Sequence, residues 1–303
     1  MKLNLRGIIP PMVTPLKADG SLDEEGLKNL IEHLISGGVH GIFLLGTNGE
    51  ATSLTHENRK KLVSKACHFI NKRVPVLVGI SDTVLEDSVA MCDHAKSCGA
   101  DAVVIAPPYY LPISEDEFLD FMQALVPQLS LPFVLYNMPS CTKLHLSVPT
   151  VKKIKDLGAI GIKDSSGDLD YLLKLISEFK SSPDFAIIAG TESFLSTTIL
   201  HGGHGAVAGG ANFFPKLFVE LYNASLIGEL LKVEQLNEEV NKLYHTIYNV
   251  GSFSSKITKG TKCALAVLNI CEDHMALPLK KFSDIERHKI ATYVQSFQQT
   301  LAL

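Results

Sequence analysis

Residues 102–126, with the sequence AVVIAPPYYLPISEDEFLDFMQALV, contain the unit that decides the predicted fold. Ala102–Ile105 is apolar throughout, which is typical of a parallel strand covered on both faces. After a loop, Ser114 and Glu117 have the spacing of a capping box, which begins a helix. The apolar side chains that follow form one helical stripe, made of Phe118, Phe121, Met122, Leu125 and Val126. This segment therefore predicts a strand, a loop and an amphipathic helix that packs against a sheet.

The same order of strand, loop and helix recurs along most of the chain. Ser21 and Glu24 repeat the capping-box spacing, and a second apolar stripe starts at Leu27. The other predicted strands are apolar runs of similar length: Arg6–Met12, Gly41–Leu44, Val74–Val78, Phe133–Asn137, Ala159–Ile162, Phe185–Ala189 and Gly205–Ala208. Eight such units predict an α/β fold, a (β/α)8 TIM barrel. The alternative is a doubly wound open sheet, which usually has a Gly-rich turn after its first strand, where this chain has Pro10 and Pro11.

The strand pattern stops near residue 225. We therefore divide the chain into a barrel, residues 1–225, which carries the active site, and a C-terminal helical region, residues 226–303. Two or three helices are expected in this second region, including Ile285–Leu301. We expect them to pack on the barrel and to have no function of their own.

Composition and charge exclude several classes of protein. The chain has 303 residues, of which 46% are hydrophobic, and a formal net charge of −4. No basic stripe indicates nucleic-acid binding, and no apolar run is long enough to cross a membrane. The six cysteines form no CxxC pair, which argues against structural zinc and indicates reduced thiols. We therefore expect a cytoplasmic protein.

Lys163 is the most unusual residue at the predicted carboxyl ends of the strands, where barrel enzymes have their chemistry. It directly follows the apolar run Ala159–Ile162. An ammonium in apolar surroundings loses hydration, which favours the neutral amine that adds to carbonyl groups. The alternative is a lysine that extends out of the barrel and pairs with Asp164 or Glu192.

Three further residues are expected near Lys163. Tyr136 ends the neighbouring predicted strand, and its phenol can donate and then recover one proton, although a buried structural tyrosine is the alternative. Thr47 lies in a Gly-rich turn whose backbone N–H groups can bind an anion, but a plain turn has the same pattern. Tyr109 and Tyr110 follow the fourth strand and are either packing aromatics or site residues.

Three motifs, taken together and in order, resemble the dihydrodipicolinate synthase / N-acetylneuraminate lyase family of class I aldolases. They are Gly46–Glu50 (GTNGE), Tyr136–Pro139 (YNMP) and Gly161–Asp168 (GIKDSSGD), and the similarity extends from Arg6 to Leu279. The resemblance implies a TIM barrel with a C-terminal helical extension and a homo-oligomer, either a dimer or a tetramer. It also implies a reaction between pyruvate, or another 2-keto acid, and an aldehyde, without a metal or other cofactor.

The resemblance also implies residue roles. Lys163 matches the residue that forms the Schiff base. Tyr136 and Thr47 match groups that move protons, and Tyr110 matches a tyrosine that acts in the site of a neighbouring subunit. The N–H groups of Thr47 and Asn48 match the binding site for the carboxylate of the keto acid. The other expected substrate-binding residues follow or end the last three strands: Ser165, Gly190, Glu192 and Val207.

Departures from the family pattern indicate which aldehyde the protein uses. Synthases that use aspartate semialdehyde have an arginine two residues after the proline of the YNxP motif, where this chain has Cys141. A cysteine cannot form the bidentate pair that arginine makes with a carboxylate. Together with Gly210–Pro215, the Lys163 motif is more similar to aldolases of 2-keto-3-deoxy sugar acids and of hydroxy-oxoglutarate. We therefore expect an aldolase that cleaves or forms a 2-keto-3-deoxy sugar acid. The alternatives are 4-hydroxy-tetrahydrodipicolinate synthase, N-acetylneuraminate lyase, hydroxy-oxoglutarate aldolase and a dehydratase.

Two alternatives come from other functional classes. A metal-dependent barrel hydrolase would use some of the 11 histidines, but these form no HxH or HExxH pattern. A non-catalytic barrel that binds a metabolite would not need Lys163, Tyr136 and Thr47 together.

Overall fold

The computed structural model describes residues 3–301 and contains one sheet of eight parallel strands. Neighbours in the sheet follow the order β1-β8-β7-β6-β5-β4-β3-β2. The sheet closes where Pro11, after β1, bridges to Phe43 in β2, with the Phe43 N–H donating to the Pro10 carbonyl at 3.0 Å. The predicted (β/α)8 barrel is therefore confirmed. The strands are β1 (Gly7–Ile8), β2 (Ile42–Leu44), β3 (Val76–Gly79), β4 (Ala102–Ile105), β5 (Phe133–Asn137), β6 (Gly161–Asp164), β7 (Ala186–Ala189) and β8 (Gly205–Ala206).

Helices follow the strands and cover the outside of the barrel. Residues 3–301 contain α1 (Glu24–Ser36), α2 (His56–Ile70), α3 (Leu85–Ser97), α4 (Glu115–Leu125), α5 (Pro139–Thr142), α6 (Val148–Asp156), α7 (Leu169–Glu178), α8 (Leu195–Leu200), α9 (Pro215–Ile227), α10 (Leu230–His245), α11 (Lys256–Val267) and α12 (Asp284–Leu301). No helix of this part of the chain is long and apolar enough to span a membrane. The division at residue 225 stays a prediction, and the residues described after α9 include no strand.

The two predicted capping boxes have different outcomes. Before α4, Ser114 accepts a hydrogen bond from the Glu117 N–H at 3.2 Å, and the Glu117 carboxylate accepts one from the Ser114 N–H at 2.7 Å. The box predicted at Ser21 is wrong, because α1 begins after Asp23, whose carboxylate accepts from the Gly26 N–H at 3.1 Å. An acidic cap two residues downstream replaces the serine, which instead bonds to Asp19.

The ends of two strands differ from the prediction. The strand predicted at Arg6–Met12 is shorter, because Pro10 and Pro11 have no N–H to donate to a ladder. The strand predicted at Ala159–Ile162 starts later and continues through Lys163 and Asp164. Lys163 therefore lies within β6 and not after it. The predicted boundary lies before Lys163 because this is the first charged residue after the apolar run. A strand residue whose side chain faces the cavity of the barrel can nevertheless be charged.

Successive side chains along each strand point alternately inward and outward. The inward ones form a compact cluster that fills the barrel below the site: Leu5, Ile9, Phe43, Leu77, Val104, Val134, Ile188 and Val207, with Tyr136. The outward ones join the apolar faces of the surrounding helices in a second, larger core. The polar residues at the carboxyl ends of the strands therefore lie directly above this inner cluster.

Candidate active site

Lys163 and Tyr136 face each other inside the barrel. The ladder between β5 and β6 pairs Tyr136 directly with Lys163, so their side chains leave the sheet on the same face. Lys163 is 6% exposed and Tyr136 is 7% exposed. The Lys163 Nζ lies 4.0 Å from the centre of the Tyr136 ring and 5.2 Å from the centre of the Phe43 ring. The amine is thus held between two aromatic rings, at the upper end of the inner cluster.

Neither carboxylate proposed as an alternative partner pairs with Lys163. Asp164 accepts hydrogen bonds from Asn137 Nδ2 at 2.8 Å and from Ser166 Oγ at 2.9 Å. Glu192 accepts from the Gly210 N–H and from Tyr248 Oη. Within residues 3–301, Lys163 forms no ion pair with a carboxylate. A lysine that extends out of the barrel to an acidic partner is therefore not what the structure contains.

The Gly46–Glu50 loop reaches Tyr136 from the end of β2. Thr47 Oγ1 lies 3.3 Å from Tyr136 Oη, which is within hydrogen-bonding distance, and either oxygen can be the donor. The loop is fixed by internal bonds, from the Gly49 N–H to the Gly46 carbonyl at 3.0 Å and from the Glu50 N–H to the Thr47 carbonyl at 3.1 Å. No described protein group accepts a hydrogen bond from the N–H of Thr47 or of Asn48. Two adjacent N–H groups without a protein acceptor, in a loop that lines the same cavity as Lys163, have the arrangement that can bind an anion.

A cavity of about 580 Å³ opens above Lys163 and Tyr136. Twelve of its lining side chains carry a hydroxyl: Thr47, Thr52, Ser53, Tyr136, Ser140, Ser165, Thr191, Tyr244, Tyr248, Ser254, Ser255 and Thr258. Of the lining residues in the described chain, Lys163 is the one lysine or arginine, whereas Glu50 and Glu192 are acidic. The cavity therefore offers one amine for chemistry and many neutral hydrogen-bonding groups for recognition.

The structure brings most of the predicted site residues together. Eight of them line this one cavity: Thr47, Asn48, Tyr136, Lys163, Ser165, Gly190, Glu192 and Val207. Tyr110 does not line it, and its side chain is 97% exposed on a backbone with φ of 81°. A bulky residue rarely adopts this left-handed conformation. The predicted role of Tyr110 needs a second chain and stays a prediction.

The lack of space around residue 190 explains why it is a glycine. A Cβ at this position would lie 1.9 Å from Ser165 Oγ and 2.8 Å from the Asp164 carbonyl oxygen. The Gly190 N–H donates to that same carbonyl at 2.6 Å, so β6 and the end of β7 approach closely here. Any side chain at residue 190 would displace Ser165 from the cavity wall.

Part of the cavity wall comes from the C-terminal helices, which the sequence did not predict. Tyr244, at the end of α10, and Tyr248 lie four residues apart, and Thr258 belongs to α11. Tyr248 Oη donates to Glu192 Oε1 at 3.2 Å, and Tyr244 Oη accepts from the Glu192 N–H at 3.3 Å. The four-residue spacing of the two tyrosines was the available signal, but α10 ends at His245, between them, and nothing in the sequence indicates that both meet the loop after β7.

Glu192 is a buried acid of the site without a basic partner among the described residues. Its Oε2 has no hydrogen-bond partner within residues 3–301, and burial raises the pKa of Glu192 to about 7. The hydrogen bonds from Gly210 and Tyr248 oppose this rise but are weaker than the loss of hydration. At neutral pH this carboxyl group is therefore partly protonated and can both donate and accept a hydrogen bond.

The Glu192→Gln variant should change how stability depends on pH. Because the folded state raises this pKa above its ordinary value of 4.5, the folded protein binds the proton more tightly than the unfolded chain. The contribution of Glu192 is therefore fully present below pH 4.5 and is lost as the pH rises through about 7. We expect the variant to gain on the order of 3 kcal/mol relative to wild type between about pH 5 and about pH 8. Urea unfolding at both pH values measures this difference, and a difference that does not change with pH would contradict it.

The metal-hydrolase alternative finds no support in the position of the histidines. In the part of the chain that the structure describes, the one cluster of three potential metal ligands is His56, Asp82 and Asp87. None of these residues lines the cavity above Lys163. Asp82 already pairs with Arg59 at 2.8 Å.

Comparisons with known proteins agree with this geometry. The family model described as the dihydrodipicolinate synthetase family matches residues 4–297. The 4-hydroxy-tetrahydrodipicolinate synthase of Bartonella bacilliformis is 32% identical over 293 residues, which cover 96% of this chain and 97% of that protein. YagE of Escherichia coli, provisionally named as a 2-dehydro-3-deoxy-D-gluconate aldolase, is 37% identical over 229 residues, covering 75% of this chain and 76% of YagE.

Two solved structures are closely similar. The structure titled as dihydrodipicolinate synthase from Bacteroides thetaiotaomicron has a TM-score of 0.94 and 46% identity, and the match covers 98% of this chain and all of that one. The structure of YagE in complex with pyruvate has a TM-score of 0.92 and 30% identity over 98% of this chain and 99% of YagE. Similarity on this scale extends through the barrel and the C-terminal helices alike.

Proposed function

This chain belongs to the dihydrodipicolinate synthetase family of class I pyruvate-dependent aldolases, and from this premise we propose that it cleaves or forms a 2-keto-3-deoxy sugar acid. Lys163 forms the Schiff base with the keto carbon. The other product or substrate is an aldehyde that carries hydroxyl groups.

The hydroxyl-rich cavity wall is the observation that carries this proposal. A polyhydroxylated chain needs many neutral hydrogen-bonding partners. Besides the five hydroxyls that bond within the site, seven further lining side chains carry a hydroxyl: Thr52, Ser53, Ser140, Ser165, Thr191, Ser254 and Ser255. An aldehyde that bears a second carboxylate would need a cation, and the described lining contains no lysine or arginine apart from Lys163. Cys141 lies at the cavity wall in place of the arginine of the synthases, and Lys143 bonds to the Ser140 carbonyl at 2.8 Å outside it. The similarity to YagE, which binds pyruvate in its solved structure, supports the same substrate class.

In the proposed mechanism, the neutral Lys163 amine adds to the keto carbon, C2, of the substrate, one proton is taken up from solvent and water leaves, which gives a protonated imine. The same proton is released when the imine is finally hydrolysed. The N–H groups of Thr47 and Asn48 hold the adjacent carboxylate. The C4 hydroxyl then loses its proton, the C3–C4 bond breaks, and its electron pair forms an enamine while the aldehyde departs. A proton returns to C3, water adds to C2, and pyruvate leaves the amine unchanged.

Tyr136 is proposed to move the proton of the C4 hydroxyl. Its Oη lies 3.3 Å from Thr47 Oγ1, so Tyr136 can accept the substrate proton as it passes its own proton to Thr47. In the direction of synthesis, the same two oxygens deliver the proton to the aldehyde oxygen. Tyr110 of a neighbouring copy would continue this path, which requires the predicted dimer or tetramer.

Reduction with borohydride tests the covalent step. With pyruvate present, we expect an irreversible adduct on the peptide that contains Lys163, with the added mass of pyruvic acid less one oxygen atom. Mass spectrometry of the digested protein locates it. A protein that binds pyruvate saturably but forms no adduct would instead be the non-catalytic metabolite-binding barrel.

A substrate screen tests the choice of aldehyde. Pyruvate release from 2-keto-3-deoxygluconate, 4-hydroxy-2-oxoglutarate and N-acetylneuraminate is compared with synthesis from pyruvate and aspartate semialdehyde. The second candidate function is 4-hydroxy-tetrahydrodipicolinate synthase, which the similarity to the Bartonella enzyme and the Bacteroides structure favours. We expect the sugar acid to have the largest kcat/KM, and a larger value for aspartate semialdehyde would select the second candidate.

The Cys141→Arg variant should shift this preference. Cys141 is an exposed residue of α5 whose side chain lies at the cavity wall, so a guanidinium there can pair with a second carboxylate. We expect kcat/KM with aspartate semialdehyde to rise about tenfold, since one charge-assisted pair contributes about 1.5 kcal/mol. The Cys141→Gln variant has a comparable length without the charge and should leave the value unchanged. Equal gains in both variants would show that charge is not responsible.

A further inference from the structure

The Gly46–Glu50 loop is fastened to the C-terminal region at two points. Thr258 Oγ1 donates to Asn48 Oδ1 at 3.3 Å. Lys262 Nζ forms an ion pair with Glu50 Oε1. Thr258 and Lys262 are four residues apart on α11, so they lie on one face of the helix, one turn above the other. This face of α11 therefore meets two residues of the loop that carries the anion site.

The Glu50–Lys262 pair is deeply buried. Lys262 is 0% exposed, and burial lowers the pKa of Lys262, although Glu50 acts in the opposite direction. Each member of the pair also forms one hydrogen bond to the backbone. Glu50 Oε2 accepts from the Ala276 N–H at 2.8 Å, and Lys262 Nζ donates to the His274 carbonyl at 2.6 Å. A lone charge at this depth would be strongly unfavourable, so each partner fixes the position of the other.

Glu50 also has an unusual backbone conformation. Its φ of 55° lies in the left-handed region, which non-glycine residues rarely adopt. Its N–H closes the turn onto the Thr47 carbonyl at 3.1 Å. The side-chain position of Glu50 and the orientation of the Thr47 and Asn48 peptides are therefore coupled within one short turn.

We infer that Lys262 is a positioning residue, which through Glu50 aims the backbone donors of Thr47 and Asn48 at the carboxylate of the keto acid. The inference rests on the proposed function, because it assigns the two N–H groups to that carboxylate. It gives the C-terminal region a part in pyruvate binding although Lys262 itself does not line the cavity. A misdirected loop weakens keto-acid binding more than it slows the later bond-breaking step.

The test separates positioning from stability. The Lys262→Met variant leaves the Glu50 carboxylate buried without a partner, which lowers stability. The double variant Glu50→Gln/Lys262→Met is therefore measured beside it, because this pair of substitutions leaves neither charge of the pair buried. Ile290→Ala is the control for lost stability, because Ile290 is fully buried on α12 and does not line the cavity, and its truncation leaves a void in the core. Thermal melting ranks the stabilities of all four proteins, including wild type.

The readout is the pyruvate concentration that gives half of the maximal rate of borohydride-trapped adduct, together with kcat for the aldolase reaction. We expect this concentration to rise about tenfold in both Lys262 variants, while kcat changes less than about threefold. The double variant should recover melting temperature without recovering pyruvate binding. Half-saturation in the double variant within about twofold of wild type, or an equal rise in Ile290→Ala, overturns the inference.

The wild-type protein tells the two possible failures apart. If wild type forms no adduct with pyruvate, the proposed function fails and with it the premise of this inference. If wild type forms the adduct and the Lys262 variants bind pyruvate equally well, the proposed function stands and the positioning role of Lys262 is refuted.

Discussion

The Lys163→Ala variant should lose the aldolase reaction by a factor on the order of 10⁴ to 10⁶ in kcat, the range seen when a covalent nucleophile is removed. No other amine lines the described part of the cavity, so no neighbouring group can form the imine in its place. Pyruvate release, followed with whichever substrate gives wild type its largest kcat/KM, measures the loss. The same variant should give no borohydride adduct anywhere in its peptide map.

A shape-matched control distinguishes chemistry from folding. The Lys163→Met variant fills the barrel beside the Tyr136 and Phe43 rings with an uncharged chain of similar length. Removing a buried amine that no carboxylate compensates should raise the free energy of unfolding by about 0.5–2 kcal/mol. A residue that served the fold alone would have the opposite effect. Residual activity above about one hundredth of wild type in either variant would rule out Lys163 as the nucleophile.

The barrel could be predicted from sequence because its strands are short apolar runs at regular intervals. Ala102–Ile105 and Phe133–Asn137 have the predicted bounds. Both strands are buried on both faces, and each begins directly after a residue that interrupts the apolar run, Asp101 in the first case and Pro132 in the second. The boundary of β6 could not be predicted in the same way. Lys163 and Asp164 are buried polar residues whose environment is set by the cavity and by Asn137, and local hydropathy does not contain that information.

The meeting of the site residues at one end of the barrel could also be predicted, because it follows from the topology. Parallel strands end on one side, so residues 47, 136, 163 and 190 were expected to meet, and all of them line the cavity. The contribution of α10 and α11 could not be predicted. Thr258 meets Asn48 and Lys262 meets Glu50 across more than 200 residues of chain, and no periodic pattern records which helix covers which loop.

The hydroxyl of Tyr136 should account for a large part of catalysis without being needed for the fold. The Tyr136→Phe variant keeps the ring that packs in the inner cluster and contacts Lys163, and it loses only the oxygen that lies 3.3 Å from Thr47 Oγ1. We expect kcat to fall about 10²- to 10³-fold, as is typical when a general acid or base is removed. Because Lys163 is retained, the borohydride adduct should still form, although more slowly.

The Thr47→Val variant provides the comparison that decides whether the two oxygens act in sequence. Suppose that the proton passes from substrate to Tyr136 and then to Thr47. Once Tyr136→Phe has removed the first oxygen, no proton reaches Thr47, so the double variant Thr47→Val/Tyr136→Phe should be little slower than Tyr136→Phe alone. If the losses in kcat instead multiply, Thr47 and Tyr136 act independently, and the proposed path between them is incorrect. Melting temperatures within a few degrees of wild type are required of all three variants, since the packing of the ring and of the threonine methyl group is preserved. Under that condition, the coupling between the two substitutions measures proton transfer and not a change in the barrel.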